Sequence, residues 1–184
     1  CWPSAGCNVK TTAQTLIALS NKIDTNKTIA WLESKRQIPT ELTWFLEIDE
    51  TATTDGMTCT ITSTSASATV KFGGDKKIQT VGTTGLSPCF STAQSGYWLK
   101  INQQCYQEEF TIGCDKNFLT TLLYQKIGGQ TIHVSESSHT AAPASTTTEK
   151  IDSYCFGPSA NICDYEATLW AATALQEWVG EDVH

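Results

Sequence analysis

The sequence predicts an α+β protein in which both ends form one helical layer and an antiparallel β-rich segment is inserted between them. Three observations lead there. Apolar residues recur at a helical period near each terminus, the period falls to two from Thr43, and eight cysteines punctuate the 184 residues. One domain, 1–184, is expected, with helical parts over 1–40 and 114–184 and the β-rich insertion over 41–113.

Taken in order, residues 8–22 read as a helix carrying Val9, Ala13, Leu16, Ile17 and Leu19. Residues 26–36 read as a second helix with Ile29, Trp31 and Leu32, and Pro39 ends the hairpin. Strands follow at 44–48, 58–63, 69–72, 77–81, 97–101 and 109–112, with Gly73-Gly74-Asp75 as a turn. Residues 117–127 read as a helix stopped by Gly128-Gly129, residues 130–135 as a strand, and 139–148 as a mobile polar loop. A helix around 167–178 closes the chain.

The cysteines organise this outline. Cys1 and Cys7, Cys105 and Cys114, and Cys155 and Cys163 each precede a helical run, and Asn8, Asp115 or Asp164 follows the second cysteine as a helix-capping residue. Aligning Cys7 with Cys163 places Thr12 on Thr168, Ala18 on Ala174 and Leu19 on Leu175, an internal repeat of closed loop, cap and helix. The expected bridges are Cys1–Cys7, Cys105–Cys114 and Cys155–Cys163, leaving Cys59–Cys89; each short loop contributes roughly 2–3 kcal/mol. Zinc would favour C-x2–4-C spacing, which is absent.

Composition narrows the function. The net charge is -7, and Arg36 is the only arginine, so no basic cluster exists to displace the counterions of nucleic acid or to meet an anionic membrane surface. No apolar run approaches the ~20 residues of a spanning helix. The chain starts at Cys1 without a signal peptide, which suggests a mature or excised form; a lipidated N-terminal cysteine is the rival reading. Asn26-Lys27-Thr28 is a glycosylation sequon. Thr- and Ser-rich stretches suit exposed strands of extracellular proteins.

The runs Cys7–Leu19, Ile29–Gln37 and Tyr165–Glu177 resemble α/α-toroid repeats of the prenyltransferase and terpene-cyclase superfamily, as carried with β-rich insertions by long surface proteins of archaea. The resemblance covers about 60 of the 184 residues. It implies a toroid-like helical layer, but not the superfamily's chemistry. The acidic Asp-x-Asp-Asp run of its cyclases and the Asp, Cys and His zinc set of its prenyltransferases have no counterpart. Gly113-Cys114-Asp115-Lys116-Asn117 shares only Gly-Cys with the thioester motif of complement-type proteins.

Other chemistry is weakly signalled. Ser135, His139 and Glu136 could combine as a hydrolase set, but no nucleophile elbow accompanies them, and His133 and His184 stand apart. Asp49, Glu50 and Asp55 form an acidic turn without the order of a calcium loop. Among Trp2, Trp31, Trp44, Trp98, Trp170 and Trp178, an exposed ring could meet a glycan. The expectation is a non-catalytic, disulfide-stapled structural or interaction protein of the cell surface, without cofactor or metal. It would self-associate head-to-tail through Leu169, Trp170 and Trp178. A glycan- or peptide-binding module is the alternative, and a degenerate enzyme of the toroid superfamily the second.

Overall fold

Alternating burial along Ser67–Phe72, where Ala68, Val70 and Phe72 are buried and their neighbours exposed, is the pattern of a strand with one face in a core and one in water. Ten strands build the centre of the chain, and a computed structural model describes residues 1–19, 24–51, 55–81, 88–159 and 162–179. The side chains of residues 80, 81, 136 and 177–179 fall outside the described set, as does His184.

The chain divides into two compact units: residues 41–151 form one, and residues 1–40 with 152–184 form the other. In the β unit, the strands are β1 (Leu42–Glu50), β2 (Met57–Thr62), β3 (Ser67–Phe72), β4 (Ile78–Val81), β5 (Phe90–Ala93), β6 (Trp98–Ile101), β7 (Glu109–Cys114), β8 (Phe118–Lys126), β9 (Ile132–Ala141) and β10 (Thr146–Lys150). They make two five-stranded antiparallel sheets, ordered β5-β6-β1-β8-β9 and β10-β7-β2-β3-β4. The sheets face one another as a sandwich. Phe90 of the first meets Phe110 of the second with ring centroids 4.8 Å apart, and Thr120 of the first reaches Thr147 of the second at 3.0 Å. At the rim, Thr64 and Ser65 of the β2–β3 turn donate to Glu108, holding its carboxyl below the usual range.

The helical unit holds α1 (Val9–Leu19), α2 (Asn26–Glu33) and α3 (Tyr165–Val179). Its core joins Val9, Ala13, Leu16, Leu32, Phe156 and the α3 residues Ala167, Ala171, Ala174 and Leu175. Small alanines on α3 allow close approach of α1, and the larger Leu16 and Leu32 fill the space.

Several expectations are corrected here. The toroid resemblance fails: the described residues form two antiparallel sheets of ten strands and three short α-helices, which is not an α/α-toroid. The β segment runs to Ile151, not to residue 113. The expected helix at 117–127 is strand β8, which is central in its sheet, lies between β1 and β9, and is buried over much of both faces. A strand buried on both faces loses the two-residue alternation, and its apolar run then imitates a buried helix. The expected loop at 139–148 is the end of β9, a turn and β10; their Thr and Ser side chains belong to edge strands. Strand β5 has no counterpart in the sequence reading.

Two bridges are also reassigned. Cys1–Cys7 and Cys155–Cys163 close the short loops, but Cys59 pairs with Cys114 and Cys89 with Cys105. Cys59 and Cys114 are directly opposite on the β2–β7 ladder, with Cα atoms 4.1 Å apart, which is the closely spaced kind of antiparallel pair. Asp115 is not a helix cap; its carboxylate accepts from the Thr58 N–H at 2.9 Å across the same ladder. Cys89 and Cys105 flank the β5–β6 hairpin and tie its open end.

Candidate functional site

The repeat seen in the sequence is a repeat of hydrogen bonds. In the first copy, Thr12 inserts its hydroxyl into the Cys1–Cys7 loop, accepting from the Trp2 N–H at 2.9 Å and donating to the Trp2 carbonyl at 3.1 Å. In the second copy, Thr168 does the same to Phe156 within the Cys155–Cys163 loop, at 2.9 and 3.1 Å. The side chain of Asn8 accepts from the Thr11 N–H, and that of Asp164 from the Ala167 N–H, each capping the first turn of its helix. The Asn8 N–H donates to the Trp2 carbonyl and the Asp164 N–H to the Phe156 carbonyl. Each disulfide loop is thus locked onto a helix start by one cap and one buried or half-buried threonine.

A third device fixes the second loop. Gln37, after α2, exchanges two backbone hydrogen bonds with Cys155 and sends its amide to the carbonyls of Ser159 and Ile162, at 3.3 and 2.8 Å. Gly157 lies beneath them: a Cβ there would sit 1.6 Å from the Ile162 carbonyl, so only glycine permits the approach.

These parts wall a cleft of about 580 Å³ in the helical unit. It lies between the starts of α1 and α3, the end of α2 and the Gly157–Ser159 segment, a size typical of small-ligand sites. Lys10, Lys35 and Arg36 bring positive charge to it, and Asp164 and Glu166 negative charge. Lys10 and Glu166, equivalent in the repeat, pair at 2.6 Å. Lys35 lies over the ring of Trp31, 5.3 Å from its centroid. The Arg36 guanidinium stacks on Tyr154 at 4.9 Å, and its buried Nε has no hydrogen-bond partner. No family model, curated protein or solved structure matches the chain.

The residues singled out from the sequence are distributed otherwise. Leu169 is 54 % exposed, Trp170 is half-buried against the helical core, and the Trp178 side chain lies outside the described residues. Asn26 is exposed in the first turn of α2, whereas Thr28 of the same sequon is buried. Of the five described tryptophan side chains, only Trp2 is exposed; Trp44 is core, and Trp98 donates to Glu47 at 3.1 Å.

His139 does not meet Ser135. The two are four residues apart on β9, about 13 Å along a strand. His139 Nδ1 instead lies 2.8 Å from Glu149, a carboxylate 2 % exposed that also accepts from Thr120 at 2.5 Å. Thr120 is fully buried, so this group ties the two sheets together and offers no reachable nucleophile. His133 stacks on Tyr124. Asp49 and Glu50 of the acidic turn are engaged by Lys76 and Lys116, and no cluster of metal-ligating side chains occurs among the described residues.

The cleft went unread in the sequence because its parts come from four segments. The available signal was Arg36, the single arginine of an acidic chain.

Proposed function

We propose that the chain is a non-catalytic extracellular binding module of the cell surface, and that it binds through the cleft of the helical unit. All eight cysteines are paired, which suits an oxidising compartment, and no helix among the described residues is long and apolar enough to cross a membrane. The observation that carries the reading is the cleft's construction. Two disulfide loops, two helix caps and the Gln37 clasp hold its walls, and fixed walls reduce the ordering cost of binding. Ser159→Trp fills the cleft while keeping the carbonyl that Gln37 holds. Wild-type protein should select ligands on glycan and peptide arrays, and this variant should lose them with its circular dichroism unchanged. Retained binding by the variant would overturn the reading.

A second reading, head-to-tail self-association, is favoured by α3. Tyr165 is 84 % and Leu169 54 % exposed, one turn apart on the same face. Sedimentation should then show assemblies that Leu169→Asp disperses; a wild-type monomer at high concentration removes this reading.

A further inference from the structure

Arg36 is in an unusual position for a cation. It is only partly exposed, its Nε is shielded from solvent without an acceptor, and no carboxylate among the described residues pairs with it. Stacking on Tyr154 holds the plane of the guanidinium and leaves its edge uncommitted. A partly desolvated charge is costly unless an opposite charge meets it, and in a chain of net charge -7 carboxylates are abundant yet none among the described residues meets this one. Lys35, its neighbour in sequence, also lines the cleft. A planar guanidinium fixed by stacking is matched to a planar carboxylate, which it can grip through two parallel hydrogen bonds.

The lining also carries acceptors. Asn8 and Asp164 each commit one side-chain oxygen to their helix caps and Glu166 pairs with Lys10, but the carboxylates of Asp164 and Glu166 keep further acceptor capacity toward the cleft. Acceptors suit hydroxyl groups, which donate, and they repel a second carboxylate. An acidic peptide would bring several carboxylates and few hydroxyls. A sugar acid brings one carboxylate per ring and several hydroxyls. From this combination of groups we infer that the cleft takes the uronic-acid unit of an acidic saccharide, its carboxylate on Arg36 and Lys35 and its ring hydroxyls toward the carboxylates of Asp164 and Glu166. The inference rests on the cleft being the binding surface and adds the chemical class of the ligand.

Calorimetric titration distinguishes the two claims. The probes are oligogalacturonate, its fully methyl-esterified form, and hexaglutamate. Wild-type protein should bind oligogalacturonate at least tenfold more tightly than either of the others. Arg36→Gln should remove that preference, and Arg36→Lys should restore part of it; unchanged circular dichroism confirms folding, and Lys35→Gln provides a second, milder test. Equal binding of the acid and its ester, or unchanged preference in Arg36→Gln, overturns the carboxylate assignment while the cleft reading stands. Preference for hexaglutamate overturns the saccharide. Oligogalacturonate binding that Ser159→Trp leaves intact fails the cleft itself, and no binding of oligogalacturonate overturns the inference.

Discussion

The two disulfide loops of the helical unit share a cap and a threonine lock and differ in what they bury. Val9 and Ala13 of α1 are 5 % and 0 % exposed, whereas their equivalents on α3, Tyr165 and Leu169, are 84 % and 54 % exposed. The loop aromatics reverse the order: Trp2 is 43 % exposed and Phe156 2 %. One copy therefore buries its helix positions and shows its loop, and the other buries its loop and shows its helix positions. The motif of cysteine, capping Asn or Asp, and threonine specifies how a helix starts. It does not specify which face packs, because that is decided by the side chains each helix carries and by the partners the fold supplies. On α3 the packing face is set by Ala167, Ala171, Ala174 and Leu175.

If the cap is duplicated, its removal should cost the same in both copies. Thr12→Val and Thr168→Val keep the shape but strip two hydrogen bonds and leave the Trp2 or Phe156 N–H without its acceptor, so each should lower stability by about 1–3 kcal/mol in denaturant titration. Values differing by more than about 1.4 kcal/mol, a tenfold change in the folding equilibrium, would mean the copies are not equivalent.

If the faces differ, substitution at aligned positions should not cost the same. Ala13→Leu overfills a closed contact and should cost about 2 kcal/mol. Leu169→Ala alters an exposed position and should stay within about 0.5 kcal/mol. Similar values for the two would remove the distinction.

The smallest effect concerns the ion pair that links the copies. Lys10 and Glu166 are 39 % and 58 % exposed, so solvent screens them and the pair is worth less than about 1 kcal/mol. Lys10→Glu should destabilise slightly, Lys10→Glu with Glu166→Lys should recover, and the difference should shrink in 1 M salt. A double variant no better than the single would show that the pair contributes nothing to the contact.

This contrast also explains what the sequence could reveal. The helix starts were legible because capping chemistry is local: Asn8 and Asp164 act within three residues, and the Thr12–Thr168 correspondence survives alignment. Strands β2, β3 and β4 were legible by alternation. Strand β8 was not, because burial on both faces erases alternation; the start of β9 read as a strand, but its polar end and β10 read as loop for want of apolar positions. The Cys59–Cys114 bridge followed the same error, since a ladder partner 55 residues away becomes visible only once β7 is placed beside β2. Of the cleft, Arg36 stood out by its singularity alone, and Gln37, which clasps the Cys155–Cys163 loop, carried no signal.

Amide NMR of the whole chain, recorded while oligogalacturonate is added, tests the central claim most directly. Binding through the cleft predicts shift changes concentrated at Asn8, Lys10, Arg36, Gly157 and Ser159, with the strands of both sheets unmoved. Changes confined to the sheets, or a spectrum that does not respond, would contradict it.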